Sequence, residues 1–296
     1  MNINNLFKDN FKLDLNKFIQ EKDGLILLIS TENYQQFLKP ILSSANLFAK
    51  KWGVLLVKIG SYELNTEYTT NQLLSTQIDL NNLNLENIND NQLRSFSANI
   101  RGPILNELCK IIHTKRIIYT DVDALIVKDI SKLSNFLPNS KKIIFRKTKK
   151  NLLDLMRPNA KHYLYKSGCI VLCTKEKYLS EDLAIHEICE LYAQYCWHNK
   201  FIWGADQEGL KYLVDNYYAI YKYLYETPLF VDWSLKPWTY IWAAKGFRKN
   251  SLIWQLISRV FILLNSKENL NLNLQYLEFY ISSEKIKKLI IILKII

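Results

Sequence analysis

Two short apolar runs near the N-terminus constrain what this chain can fold into more than any other feature. Gly24–Ser30 reads GLILLIS and ends in a turn-like Ser-Thr-Glu-Asn; Gly53–Ile59 reads GVLLVKI. Runs of this length and continuity read as strands buried on both faces. Between them, Tyr34–Lys51 carries Phe37, Ile41, Leu42, Ala45, Leu47 and Phe48 close to helical spacing. A strand–helix–strand opening predicts an α/β protein whose sheet is mostly parallel, with helices on its faces.

The pattern continues along the chain. Residues 61–92 are rich in Asn and read as a surface excursion. Ser97–His113 reads as a helix, and Arg116–Thr120 as a third strand. Ile143–Phe145 and Cys169–Cys173 are further strand candidates, and Leu179–Tyr195 and Ala205–Val214 look helical. From Asn250 onward the pattern is helical, apolar and basic. A chain of 296 residues makes one large domain or two small ones. We divide it into a domain at 1–249 and a helical appendage at 250–296.

Charge narrows the class of partner. Lys and Arg number 39 against 28 Asp and Glu, a net charge of +11, which points to phosphate, nucleic acid or an anionic membrane. Only 8 glycines are present, and neither G-x-G-x-x-G nor a P-loop occurs; Gly204 and Gly209 have P-loop spacing but are followed by Leu210. The excess is concentrated. Residues 141–161 hold eight Lys or Arg against one Asp, and residues 236–296 hold ten against three Glu. That distribution suits an enzyme facing diphosphate and a membrane with particular surfaces, and no nucleic-acid partner is expected. Cys109, Cys169, Cys173, Cys189 and Cys196 form no C-x-x-C pair and read as reduced thiols. The polar N-terminus has no signal-peptide pattern, and no apolar run approaches the ~18 residues of a membrane span. These features predict a cytoplasmic protein.

The third strand leads into the most informative segment, Lys115–Leu133 (KRIIYTDVDALIVKDISKL). Ligands collect at the carboxyl ends of parallel strands. Two carboxylates placed there repel unless a cation lies between them, and hard oxygen ligands suit Mg²⁺ or Mn²⁺. Such an ion bridges naturally to a diphosphate. The alternative for Asp121 and Asp123 is a solvated acidic turn, although apolar segments flank the pair on both sides.

This segment resembles the D-x-D region of bacterial GT-A glycosyltransferases, particularly family 8. Other segments resemble that family in order: Ser30–Tyr34 (STENY), Arg101 in SANIRGPIL, Lys166–Leu172 (KSGCIVL), Ala205–Leu213 (ADQEGLKYL) and Phe230–Trp238 (FVDWSLKPW). Together they span about residues 24–238. The resemblance implies a GT-A-like mostly parallel sheet flanked by helices, and transfer of a sugar from a nucleotide-diphosphate donor. It implies that Asp121 and Asp123 hold Mn²⁺ or Mg²⁺ and that Asp121 also meets the donor. Thr31, Asn33 and Tyr34 would lie near the nucleotide, and Arg101 and Lys236 near donor or phosphate groups; a surface cation or salt bridge is the alternative for each of these two. Asp206 and Gln207 would lie at the sugar; a helix N-cap is the alternative for Asp206. A UDP-linked hexose, retention of configuration, a glycan or glycolipid acceptor, and surface polysaccharide or lipopolysaccharide synthesis also follow from the resemblance alone. The sequence departs from the family at Lys166, where Asn is usual, at Trp233 in place of Gly, and at Phe230 in place of a metal-binding His. Asp232 is a candidate substitute ligand.

Rival readings remain at this point. A sugar-nucleotide pyrophosphorylase shares the topology, but its glycine- and arginine-rich opening loop is missing. A non-catalytic basic module would bind nucleic acid or anionic lipid through charge alone. Trp203, Trp233, Trp238 and Trp242 read either as a sugar-stacking platform or as core. His186, Cys189, Cys196 and His198 lack the paired spacing of structural zinc. The terminal EKIKKLIIILKII reads either as a peripheral membrane attachment or as a helix docked on the core.

Overall fold

The computed structural model describes residues 6–64, 72–112, 116–135, 143–147, 165–173, 185–217, 224–226, 231–232, 239–243 and 251–265. Helix α1 (Asp9–Ile19) precedes strand β1 (Gly24–Ser30). Then come α2 (Leu38–Phe48), β2 (Trp52–Ile59) and β3 (Leu73–Ile78). Helices α3 (Asp90–Asn99) and α4 (Arg101–Ile111) lead to β4 (Arg116–Thr120) and the short β5 (Leu125–Ile126). Strands β6 (Ile143–Lys147) and β7 (Tyr165–Cys173) are followed by α5 (Ile185–His198) and α6 (Ala205–Asn216). The remaining elements are β8 (Leu224–Glu226), β9 (Val231–Asp232), β10 (Ile241–Trp242) and α7 (Leu252–Asn265).

The main sheet has seven strands in the order β3-β2-β1-β4-β7-β6-β8. All adjacent pairs are parallel except those that β7 makes with β4 and β6. The expected mostly parallel sheet flanked by helices is what the chain forms.

The apolar runs are continuous because each strand is buried on both faces. Leu25, Leu27 and Ile29 of β1 join Leu55 and Val57 of β2 and Ile117 of β4 in one core, under α1, α4, α5 and α6. The alternate residues Ile26, Leu28, Val54, Leu56 and Ile118 face a second core with α2 and α7. Removing one such side chain costs about 2–5 kcal/mol.

Three sequence expectations are corrected. The span 34–51 is a 3₁₀ turn, Glu32–Phe37, followed by α2, so the α-helix starts later than its apolar spacing suggests. The polar stretch 61–92 contains β3, which pairs along β2 at the sheet edge. An edge strand with a partly exposed LLSTQI pattern lacks the apolar signal of an inner strand. The span 97–113 is not one helix: Asn89 caps α3 through a capping box with Gln92, and the chain turns at Ile100 into α4.

α4 is buried from Arg101 to Cys109, because α5 lies close against it. A Cβ on Gly102 would stand 3.0 Å from the Cβ and Sγ of Cys196, so glycine permits the approach. The expected appendage begins with α7, which belongs to the second core. Phe261 packs edge-on to Phe48 at 5.4 Å between centroids, and Trp254 against Phe37 at 5.7 Å. The basic, apolar end of the chain lies outside the described residues. Among the described residues, no helix is long and apolar enough to cross a membrane.

Candidate functional site

The chain leaves β1 toward β2 and β3, then returns across β1 to β4. The carboxyl ends of β1 and β4 therefore flank a topological switch point, where open α/β sheets form a crevice. A cavity of about 760 Å³ opens there. Thr31, Asn33 and Tyr34 line it from the turn after β1, and Asp121 and Asp123 from the turn after β4. Arg101 of α4, Ser167 of β7, and Asp206 and Gln207 of α6 complete the inner wall. Of the residues expected at the site, Lys236 lies outside the described residues, and the others line this one cavity.

Arg101 ties the inner wall together, and its side chain is only 8% exposed. Nη1 lies 3.0 Å from Asp206 Oδ2 and donates to the Ser167 carbonyl at 2.9 Å and to its hydroxyl at 3.1 Å. Nη2 lies 3.5 Å from Asp121 Oδ1. The guanidinium sits 4.6 Å above the ring of Tyr119, whose hydroxyl donates to Asp121 Oδ1 at 2.7 Å. Asp121 follows two residues after Tyr119, at the start of the turn that leaves β4. The antiparallel register of β4 and β7 brings the Ser-Gly segment alongside: Asp121 N–H donates to the Gly168 carbonyl at 3.1 Å. Ser167 Oγ donates to Asp206 Oδ2.

This geometry bears on two of the alternatives. Arg101 points its terminal nitrogens at protein oxygens and is the counter-ion of Asp121 and Asp206. Asp206 is not an N-cap. Gly204 occupies that position with φ +82°, and Asp206 turns inward at 3% exposure. The turn that delivers Asp206 is held by Asn99. Its Oδ1 accepts the Asp206 N–H at 2.9 Å, and its amide donates to the carbonyls of Asn199, Lys200 and Ile202 at 2.9–3.1 Å.

Burial shifts the neighbouring groups. It pushes Tyr119 and Tyr192 well above the ordinary phenol value; Asp121 and Asp206 add to the shift of Tyr119, and Cys196 and Asp206 to that of Tyr192. For Arg101, burial works against the charge, but Tyr119, Asp206 and Asp121 together outweigh it and hold the guanidinium charged. Among the described residues, the inner wall carries Asp121, Asp123 and Asp206 against the single guanidinium of Arg101, an excess of negative charge.

Asp121 and Asp123 therefore fit a hard divalent cation held by two protein carboxylates. Among the described residues, no group of three His, Cys, Asp or Glu side chains stands close enough to hold a metal by itself. The backbone of Asp232 is in register with Trp242 of β10, and Trp242 with Leu125 of β5, just after the D-x-D turn. Cys189 is directed into the core, 3.3 Å from Cys109 Sγ, and Cys196 is buried as well.

Several residues of the cavity are not apparent from the sequence. Tyr119 and Asn99 look like strand and helix filler until the chain is folded. Trp203 is half exposed and lines the cavity, whereas Trp242 is 4% exposed and belongs to the core, so the tryptophans divide between the two readings. Trp233 and Trp238 lie outside the described residues. On α3, Asp90, Asn91, Arg94 and Ser97 form the outer wall.

The sequence matches no family model and no curated protein. Among solved structures it superposes on the glycosyltransferase GlyE of Streptococcus pneumoniae TIGR4 with a TM-score of 0.47 and 10% identity, over 81% of this chain and 62% of that one. The galactosyltransferase LgtC, in complex with donor and acceptor sugar analogs, gives a TM-score of 0.40 and 11% identity, over 64% of this chain and 70% of that one. Mouse xyloside xylosyltransferase 1 gives 0.41 and 14%, over 69% and 85%. The chain thus spans less than two thirds of the GlyE structure. Fold and site together define a mostly parallel α/β protein with a carboxylate-rich cavity at its switch point.

Proposed function

We propose that this protein is a GT-A-type glycosyltransferase that moves a sugar from a nucleotide-diphosphate donor to a glycan or glycolipid acceptor. One observation carries the reading. Motifs from four distant segments (Thr31–Tyr34, Arg101, Asp121–Asp123 and Asp206–Gln207) converge on one cavity, in the order the family resemblance implies.

The nucleotide would lie against Thr31, Asn33 and Tyr34 at the end of β1, with Asp121 and Asp123 holding Mn²⁺ or Mg²⁺. Bound there, the metal would neutralise the diphosphate as it departs. Asp206 and Gln207 would face the sugar. Among the described residues, the side-chain partners of Asp206 all fall on Oδ2. In the reaction the bond from the anomeric carbon to the diphosphate oxygen breaks, a bond to an acceptor hydroxyl oxygen forms, and the acceptor proton is released. Arg101 and Ser167 hold the Asp206 carboxylate in place, which is a positioning role.

The motif resemblance supports a finer reading: a UDP-hexose donor, retention of configuration, and work on bacterial surface polysaccharide or lipopolysaccharide. The protein would act in the cytoplasm, with residues 280–296 on the inner face of the membrane.

The test is release of free nucleotide from a panel of nucleotide sugars with Mn²⁺. Turnover is expected with at least one donor, and Asp121→Ala and Asp123→Ala should each lower it by about a hundredfold or more. Absence of turnover with every donor, or full turnover in both variants, would refute the proposal. Release of nucleoside triphosphate on adding pyrophosphate would point to the pyrophosphorylase alternative. For the tail, deletion of residues 280–296 should abolish sedimentation with anionic liposomes.

A further inference from the structure

We infer that the outer end of the cavity, where Arg94 lies over Trp203, binds the anionic group of an acidic saccharide. As a description of the acceptor, this rests on the transferase reading above; as a binding site, it stands without it.

Arg94 and Trp203 line the same cavity as the D-x-D carboxylates, but at its exposed end. The guanidinium carbon is 4.5 Å from the indole centroid, a stacking distance. Asp90 stands four residues before Arg94 on α3, the favourable order for a helical ion pair. No such pair forms, and among the described residues Arg94 makes no ion pair. The surface pairs Lys12–Asp9 and Lys211–Asp215 do form. Arg94 is instead committed to the indole.

An exposed guanidinium over a ring still has N–H groups to offer, and that fork matches a carboxylate or phosphate in two-point contact. Trp203, 50% exposed, offers an apolar face beside it for the C–H side of a pyranose. Asn91 lines the same end and can meet sugar hydroxyls. The deeper wall is acidic, with Asp121, Asp123 and Asp206, and would repel an anion. An acidic sugar would therefore sit with its charge outward at Arg94. Asp90 shares that end and would weaken the attraction, so its neutralisation should strengthen binding.

The experiment is titration of glucose, glucuronate and glucose 6-phosphate, with saturating UDP and diamagnetic Mg²⁺ present to occupy the nucleotide side, followed by saturation-transfer NMR. At least one of the two anions should bind about tenfold more tightly than glucose, and Arg94→Gln should abolish the difference while leaving glucose binding in place. Asp90→Asn should widen the difference, and Trp203→Ala should weaken binding of all three sugars. A preference for glucuronate alone assigns a carboxylate, a preference for glucose 6-phosphate alone assigns a phosphate ester, and a preference for both assigns charge without distinction. Equal binding of all three sugars, binding of none at millimolar concentration, or an anion preference that survives Arg94→Gln would overturn the inference. Because sugar binding is read without turnover, this site and the transferase reading can fail independently.

Discussion

The inner and outer ends of the cavity are built in opposite ways. At the inner end, Arg101, Asp121, Ser167, Tyr119 and Asp206 are mutually bonded, and Asp206 is 3% exposed. At the outer end, Arg94, Trp203 and Asp90 are exposed, and the contact of Arg94 is a ring face. The inner end is a fixed electrostatic frame, in which each member depends on its neighbours and loss of one leaves another stranded in a medium that cannot solvate it. Residues at the outer end can be exchanged with little effect on the fold. Rigidity thus sits where charge must be placed, and openness where ligands of differing shape would enter.

The strongest way to break this contrast is Arg101→Met. It leaves Asp206 buried without a counter-charge, so unfolding free energy should fall by about 3–5 kcal/mol in a urea titration. A loss under about 1 kcal/mol would show that the frame is not structural.

Alkaline titration comes next. Tyr119 and Tyr192 are raised by burial above the ordinary value of 10.0, so the folded state keeps protons that the unfolded state releases. Below that pH both states are protonated and stability is intact; above it stability falls, at about 1.4 kcal/mol per pH unit for each buried phenol that stays protonated. Urea midpoints should be flat near neutrality and drop steeply above about pH 10. Phenolate absorbance from these two residues should appear only with unfolding.

Asn99→Ala removes the anchor of the turn before α6 and should cost about 1–3 kcal/mol. It should also lower turnover, since Asp206 would lose its fixed position. Trp203→Ala at the outer end should change stability by no more than about 0.5 kcal/mol by the same measurement. If Trp203→Ala proved as costly as Asn99→Ala, the two ends would not differ in kind.

The inner strands were legible in the sequence because burial on both faces removes the polar residues that would interrupt an apolar run, as in Gly24–Ser30 and Arg116–Thr120. Strand β3 was not, because an edge strand may be polar and still find hydrogen-bond partners along one side. The D-x-D pair could be picked out because it follows a recognisable apolar strand, whereas Asp206 and Gln207 were marked only by the resemblance to a known family. Tyr119, Asn99 and Ser167 could not be ranked, since their roles come from partners far away in sequence, as in the contact of Asn99 with the Asp206 amide.

By itself, then, the sequence determined the α/β class, the position of the acidic turn after the third strand, and the set of motifs worth watching. The first two are local matters of apolar periodicity and residue type; the motifs come from the resemblance to a known family. Tertiary structure alone decided that Arg101 serves the protein's own carboxylates and that Gly204, not Asp206, starts α6. It also decided that Trp203 faces the cavity while Trp242 faces the core. The physical reason is that an ionic or aromatic side chain takes its role from the groups it meets and from the water it loses. Both are fixed only when strands and helices from different parts of the chain close around it.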